Sequence, residues 1–208
     1  GEAVFPEDSG VVNVKRAPYN AKGDGVADDT RAIQAALDAN ANSSRIIFLP
    51  AGTYLVSDTL KWGKGRHGGM SYKRTIMQGQ GVGKTVIRLL DNCPGFQKLT
   101  VTKRRKGRKA ASSKAVIWTG KAPAQRFRNG IRDLTVDIGK GNAKATGIQY
   151  IANNQGSLRN VRVVSAEGGY IGLDLGFSDE QGPCLIKNVT VEGFATGIRT
   201  KYVVDSVT

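Results

Sequence analysis

The sequence predicts an all-β fold, a solenoid of stacked coils with one short α-helix near its start. Two sets of short segments repeat in the second half of the chain. Segments of the pattern apolar-x-Asp/Asn-apolar-x-Val begin at residues 131, 158 and 186, which are 27 and 28 residues apart. Segments that open with glycine begin at 147, 172 and 197, with a constant spacing of 25. Short strands at a nearly fixed period are typical of coils that bury their apolar faces only by stacking on one another.

The first predicted element is a helix from about Asp29 to Ala39. One apolar stripe runs along it at helical spacing, formed by Ala32, Ile33, Ala36 and Leu37. Acidic residues before it can accept hydrogen bonds from the free N–H groups of a first helical turn or of a tight turn. We therefore interpret Asp24, Asp28 and Asp29 as structural residues, with Asp28, Asp29 and Thr30 at the helix start.

Strand and turn signals follow the helix. Residues 46–49 predict a strand, 50–54 a turn and 55–56 a second strand, because an apolar run meets Pro50 and Gly52. Residues 75–87 repeat this pattern around glycines 79, 81 and 83. The run Gly79–Thr85 is close to a phosphate-binding loop, but the required first glycine is replaced by Gln78. The residues from Thr85 onward also favour a strand over the helix that such a loop needs.

The run Gly23–Thr30, Gly-Asp-Gly-Val-Ala-Asp-Asp-Thr, leads directly into the helix and then into Pro-Ala-Gly-Thr-Tyr at 50–54. This order resembles the N-terminal signature of the pectate-lyase-like superfamily and covers about the first 90 residues. The resemblance implies a right-handed parallel β-helix in a protein that is secreted or on the cell surface and acts on polysaccharides. A leucine-rich repeat has a similar period, but the aligned segments lack its leucine and asparagine spacing.

We expect a single domain over residues 1–208. The strand-like segment 203–208 has no cap after it, and a solenoid needs capped ends to stay soluble. The sequence therefore predicts the N-terminal part of a longer β-helix.

Strand alternation assigns side chains to the inside or the outside of the solenoid. One outward column is predicted from Gln149, Asp174 and Arg199. The inward residues of the same segments are Ile148, Tyr150, Leu173, Leu175 and Ile198. In the other set, Thr135, Arg162 and Thr190 are predicted to face outward and Leu134, Val136, Val161, Val163, Val189 and Val191 inward. Asp133, Asn160 and Asn188 fall in register and predict a hydrogen-bonded ladder along the axis.

The formal charge of +14 indicates an anionic partner, and part of it lies in the basic run 103–109. Such a run is also typical of an exposed, flexible loop. An acidic or sulfated polysaccharide fits better than nucleic acid, because the run has no interleaved aromatic residues. No apolar run approaches the roughly 20 residues needed to span a bilayer, so no membrane partner is expected. The two cysteines, Cys93 and Cys184, leave both a disulfide and two free thiols open.

The resemblance and the charge together predict part of a secreted polysaccharide-degrading enzyme, either a lyase or a glycoside hydrolase, acting on an acidic glycan. A lyase needs a base and positive charge beside a uronate carboxylate, whereas a hydrolase needs two carboxylates around the bond. The candidate catalytic residues are Asp174, Arg199 and Arg162. The candidate substrate-binding residues are Lys201, Gln149 and Tyr170. The only histidine, His67, lies in a glycine-rich segment and is expected to be exposed rather than catalytic.

The alternative is a non-catalytic β-helix, either a glycan-binding module or a tailspike-like structural protein. No cofactor and no metal ligands are predicted. Calcium remains possible for a lyase, but it would require a cluster of outward acids that the sequence does not offer. The oligomeric state is left open.

Overall fold

The chain is described by a computed structural model that covers residues 3–63, 72–103, 109–121, 127–178 and 182–201. Its described residues form a parallel β-helix of about five turns with a single short α-helix, which confirms the predicted fold class. The α-helix, α1, spans Thr30–Ala39, and a 3₁₀ turn spans Pro94–Phe96. The strands are β1 (Val11–Asn13), β2 (Asp24–Asp28), β3 (Ile46–Leu49), β4 (Gly52–Val56), β5 (Leu60–Lys61), β6 (Ile76–Gly79), β7 (Thr85–Leu89), β8 (Thr100–Lys103), β9 (Lys109–Ser112), β10 (Ala115–Trp118), β11 (Gly130–Asp137), β12 (Thr146–Gln149), β13 (Gly156–Asp174) and β14 (Cys184–Arg199).

The parallel strands stack into three faces. Face 1 contains β1, β3, β6 and the first segments of β11, β13 and β14. Face 2 contains β2, β4, β7 and the next segments of the same three long strands. Face 3 contains β5, β10, β12 and the last segments of β13 and β14. The long strands therefore turn corners, and β13 does so at a register shift between Val164 and Gly169.

The corner between faces 1 and 2 carries the predicted polar ladder. Asn160 donates its side-chain N–H to Asp133 Oδ1 at 2.9 Å, and Asn188 donates to Asn160 Oδ1 at 3.1 Å. All three residues have left-handed backbones, with φ of 58°, 51° and 52°. Asn and Asp tolerate this conformation better than most residues, so they can turn the chain and stack at the same time.

The core lies between the three faces, where the inward residues of successive coils meet. The alternation predicted from the sequence is confirmed, because Leu134, Val136, Val161, Val163, Ile148, Tyr150, Leu173 and Leu175 are all buried. Ile198 is the exception, with 40% of its surface exposed, and Val189 and Val191 are half-buried. All three lie on β14, which pairs only with β13 among the described residues.

The acidic residues before α1 have structural roles, but Asp29 does not cap the helix. Its buried carboxylate accepts hydrogen bonds from the backbone N–H groups of Lys22 and Gly23, at 2.6 and 2.8 Å. The prediction of a cap at Asp29 is therefore wrong, because this side chain turns back to close the glycine turn. Asp28 instead accepts from the N–H of Thr30 at 2.9 Å, and Asp24 accepts from the N–H groups of Val26 and Ala27.

The structure corrects one predicted turn and confirms another. β4 already starts at Gly52, so most of the predicted 50–54 turn is strand, with Tyr54 buried and its hydroxyl donating to the Pro50 carbonyl. The segment after Gly83 forms strand β7, which confirms that no phosphate-binding helix follows the glycines.

The basic run is interrupted by residues outside the described part of the chain. β8 and β9 form an antiparallel hairpin on either side of 104–108, which are themselves not described. His67 and the segment 203–208 also lie outside the described residues. Cys93 and Cys184 are not joined in a disulfide, and burial raises the pKa of Cys93. Within the described ranges, no helix has the length and apolar character required to cross a bilayer.

Candidate functional site

Face 3 carries one outward residue per rung in a single column. Parallel pairing places Lys61 beside Trp118, and Trp118 beside Gln149. It then places Gln149 beside Asp174, and Asp174 beside Arg199. Neighbouring strands are about 4.8 Å apart, so these side chains are close neighbours along the axis. The predicted register of Gln149, Asp174 and Arg199 is correct.

The predicted exposure of that column is wrong at two of its members. Only 1% of Asp174 and 6% of Gln149 are exposed. Arg199 donates from Nε to Asp174 Oδ1 at 2.8 Å, and its Nη2 donates to Oδ2, while the N–H of Gly176 donates to Oδ1 at 2.9 Å. Gln149 donates to the Ser113 carbonyl at 3.0 Å. Asp174 and Gln149 are therefore both buried, and both side chains already have hydrogen-bond partners.

Arg162 lies apart from this column. It is on face 2, in register with Thr135 and Thr190, and it pairs with Glu192 at 3.1 Å. The hydrogen bond with Glu192 raises the pKa of Arg162 and lowers the pKa of Glu192. The structure therefore does not bring Arg162 together with Asp174 and Arg199 as one catalytic group.

The remaining predicted substrate-binding residues, Lys201 and Tyr170, lie at different places on face 3. Lys201 is exposed and follows the last rung of face 3, where its Cβ lies close to Gly176 beside Asp174. Tyr170 is half-buried and starts the face 3 segment of β13, where its N–H donates to the Ala145 carbonyl. Tyr170 is four residues before Asp174, which is about 13 Å along an extended strand.

A cleft of about 780 Å³ opens between α1 and the beginning of face 3. Three aromatic residues line it, Trp62, Tyr72 and Trp118, and Tyr72 meets Trp118 edge-on with ring centroids 5.2 Å apart. The cations Arg31 and Lys61 also line it, and Gln34 joins α1 to β5 through hydrogen bonds to the backbone of Lys61. We call these lining residues, together with Asp58, the helix cleft.

Trp62 and Asp58 contribute two polar groups to the helix cleft, an indole N–H and a carboxylate. Trp62 is 1% exposed, and its indole N–H finds no acceptor among the described residues. Asp58 binds Lys114 at 2.6 Å; burial raises its pKa, but the hydrogen bond from Lys114 contributes to a net lowering. The carboxylate therefore stays ionised at neutral pH.

The helix cleft was not predicted from the sequence. Lys61, Trp118 and Gln149 are in register, but Trp118 precedes Gln149 by 31 residues, so the 25-residue spacing does not extend to it. Lys61 precedes Trp118 by 57 residues, because β8, β9 and their flanks are inserted between β7 and β10. The usable signal was composition, since both tryptophans of the chain, Trp62 and Trp118, line this one cleft.

The site is suited to binding more clearly than to acid–base chemistry. Cations beside an aromatic ring can hold an anionic sugar, with the carboxylate on the cations and the apolar side of the ring on the aromatic surface. By contrast, the predicted catalytic carboxylate of Asp174 is already bound by Arg199. No group of three or more His, Cys, Asp or Glu side chains arranged to hold a metal ion occurs among the described residues.

Known proteins resemble this chain in sequence. It is 36% identical over 171 residues to mannuronan C5-epimerase AlgE1 of Azotobacter vinelandii, covering 77% of this chain and 11% of that protein. It is 34% identical over 164 residues to alginate lyase 7 of the same organism, covering 74% and 16%. The chain thus spans well under a quarter of the length of these two relatives.

The fold is also found in solved structures. ORF18 of Geobacillus virus E2 superimposes with a TM-score of 0.53 at 20% identity, over 91% of this chain and 39% of that one. At this identity the likeness concerns the fold alone. The family described as rhamnogalacturonase A/epimerase, pectate lyase-like, matches residues 11–207. Because that match extends over nearly the whole length, the chain belongs to the rhamnogalacturonase A/epimerase, pectate lyase-like family.

Proposed function

We propose that this chain is part of an enzyme that modifies an acidic polysaccharide built from uronate units. The observation that carries the proposal is the similarity over three-quarters of the chain to proteins named for mannuronan epimerisation and alginate cleavage. The net charge of +14 supports it, because a basic protein attracts a polymer with one carboxylate per sugar. Such an enzyme would work outside the cell or at its surface, where these polymers occur.

The reaction class follows from the carboxylate of the substrate. Lyase and C5-epimerase chemistry both begin when a base removes the proton next to the uronate carboxylate, and positive charge stabilises the resulting anion. The anion then either expels the neighbouring glycosidic oxygen or takes a proton back on the opposite side. We place substrate binding in the helix cleft and along the exposed part of face 3, with Arg31, Lys61 and Arg199 as the cations.

A non-catalytic glycan-binding protein is the second candidate. It is favoured by one observation, the occupation of the predicted catalytic groups in ion pairs, Asp174 with Arg199 and Arg162 with Glu192. Under this hypothesis the same surface holds the polymer and no reaction follows.

A single assay separates these functions. The chain, and a longer natural form containing it, are incubated with polymannuronate, polyguluronate, polygalacturonate and a neutral glucan. Ultraviolet absorbance from unsaturated ends identifies a lyase, and a changed ratio of uronate epimers in the nuclear magnetic resonance spectrum identifies an epimerase. New reducing ends without absorbance identify a hydrolase. Binding without product favours the second candidate, and neither binding nor product from either form refutes both.

A further inference from the structure

Face 1 carries a column of positive charge that the proposed reaction does not use. Parallel pairing places Arg132 beside Arg159, and Arg159 beside Lys187, on three successive rungs. Arg159 and Lys187 are exposed, and Arg132 is half-buried. We call these three residues the cation column.

The cation column is almost unpaired. Arg132 donates from Nε to Gln78 Oε1 at 2.8 Å, which is a neutral partner on the preceding rung. The side chains of Arg159 and Lys187 make no hydrogen bond or ion pair with any described residue. The nearest acid in sequence is Asp133, which accepts from Asn160 in the ladder. The charge of the column is therefore directed mainly to solvent.

On the other two faces, charged side chains form ion pairs with opposite charges on a neighbouring rung. On face 2, Asp137 lies beside Arg88 on the next rung with 4.0 Å between them, and Arg162 binds Glu192. On face 3, Asp174 binds Arg199 on the next rung. Like charges on directly opposite strand positions destabilise a sheet, so three stacked cations are a cost for folding alone.

The turn that leads into face 1 extends the same surface. Arg74 and Arg128 each lie two residues before the paired positions Ile76 and Gly130, so they also fall on successive rungs. The backbone N–H of Arg74 donates to the Phe127 carbonyl, and Arg128 donates from Nε to Gln155 at 2.7 Å. Two further cations therefore lie on successive rungs where the chain enters face 1.

We propose that face 1 is a second binding track for an anionic polysaccharide, lying along the axis with the cation column at its centre. In an extended polyuronate every sugar carries one carboxylate, so successive carboxylates can approach successive rungs. This inference rests on the proposed substrate class but not on catalysis. The track would hold a long chain while another part of it occupies face 3.

Nucleic acid fits the column less well than polysaccharide. Proteins that bind single strands combine basic grooves with exposed aromatic rings on which bases stack. The described positions that flank the cation column are Ile76, Gly130, Ser157 and Leu185, none of them aromatic. In the same register, the aromatic residue Phe48 lies beyond Gln78 and is only 2% exposed. A nucleic acid is therefore an outcome that the test must distinguish.

The test compares the double variant R159Q/K187Q with the matched variant K140Q/K144Q in the same chain. Lys140 and Lys144 are exposed in the turn between β11 and β12, so the second variant removes the same charge from another place. Affinity for polymannuronate is measured by calorimetry at low and at physiological salt, with a neutral glucan and single-stranded DNA as further probes. Product formation is measured in parallel.

We expect R159Q/K187Q to weaken polymannuronate binding about fivefold and to reduce its salt dependence, and the matched variant to weaken it about twofold or less. Equal losses in both variants would overturn the track, since only net charge would then matter. Binding of DNA but not of polymannuronate would also overturn it. Loss of binding only in R159Q/K187Q, with no product from any form, would leave the track standing and refute the enzyme. Product formation, with unaltered polymannuronate binding in R159Q/K187Q, would support the enzyme and refute the track.

Discussion

Asp174 and Gln149 illustrate how a residue on the outward side of a strand can still be buried. Strand alternation identified their side of the sheet correctly, because that depends only on a period of two. Asp174 is held by the turn at Gly176 and by the side chain of Arg199, whereas Gln149 donates to the Ser113 carbonyl. The Arg199 and Ser113 contacts join residues 25 and 36 positions apart, so no local pattern reports them.

We expect the Asp174–Arg199 pair to stabilise the fold. Asn in place of Asp174 would leave Arg199 without its charged partner in a partly buried setting, and we expect a loss of about 1–3 kcal/mol in the free energy of unfolding. The exposed pair on face 2 provides the control, since E192Q removes a solvent-screened charge and should change that energy much less than D174N does. Urea unfolding followed by circular dichroism measures both. A D174N protein as stable as wild type would show that the pair does not hold face 3 together.

Asp28 links the start of α1 to the pH dependence of stability. Burial raises the pKa of its carboxyl, but hydrogen bonds from Ser57 and Thr30 outweigh it, so the pKa lies below the ordinary value of 3.8. The resulting stabilisation is fully present above that ordinary value and is lost as the pH falls through the folded-state value.

Because Asp28 is exposed and solvent screens its charge, we expect D28N to lower the free energy of unfolding by only about 0.5–1 kcal/mol at pH 7. The difference from wild type should shrink once the pH falls below 3.8, where the wild-type carboxylate also becomes protonated. Urea unfolding across this pH range is the measurement. A difference that stays constant with pH would mean that the charge of Asp28 does not contribute.

At the scale of the elements, the three glycines at 147, 172 and 197 are the repeat signal with the clearest physical cause. A Cβ on Gly147 would collide with Val163, and a Cβ on Gly172 would collide with Val191. In each case the valine belongs to the next coil. A Cβ on Gly197 would meet nothing within 4 Å among the described residues. The glycines are thus required where another rung packs over the corner.

This difference supplies a matched pair of variants. We expect G172A to lower the free energy of unfolding by about 1–3 kcal/mol, because Val191 and the Gly197 carbonyl would have to move. G197A should change it by less than about 1 kcal/mol, because the added methyl group meets open space. Thermal unfolding compares the two. An equal loss in both would point to backbone flexibility, and not to the packing of rungs, as the reason for glycine.

The helix and the strands could largely be predicted, whereas the roles of individual acids could not. The apolar stripe of α1 and the alternation of β11 and β13 follow from periodicity. Asp29 precedes a helix and is an acid, so it satisfies every local criterion for a cap. It closes the turn at Lys22 and Gly23 instead, because that turn brings two unpaired N–H groups within reach.

For the whole molecule, the repeat spacing predicted the register of the later coils but not that of the earlier ones. Both repeat sets lie after residue 130, where the coils follow one another without long insertions. Before that point, α1 occupies part of the first coil and the β8–β9 hairpin enlarges the third. The helix cleft is formed by α1 with residues of β5 and β10, which lie far apart in the sequence, so the repeat spacing does not report it.

The helix cleft gives a prediction at this scale. The double variant R31Q/K61Q removes two cations from opposite sides of the cleft, one on α1 and one on β5. If polymannuronate binds there, its affinity should fall about fivefold while the unfolding midpoint is unchanged, since Gln34 holds the backbone of Lys61 and not its ammonium group. Calorimetric titration measures this, with K140Q/K144Q as the control of equal charge. Equal affinity for all three proteins would exclude the cleft from polymer binding.

The backbone hydrogen bonds of all three faces run along the solenoid axis, from one rung to the next. A tension applied along that axis therefore pulls each hydrogen bond along its own length and reaches the outermost rung first. The coils would be peeled off singly at low force, each releasing the 25 to 28 residues of one repeat as slack. Tension across the axis, along the strands, would instead shear many bonds at once. A polymer lying along the axis on face 1 would bridge successive rungs and so resist the weaker of these two directions.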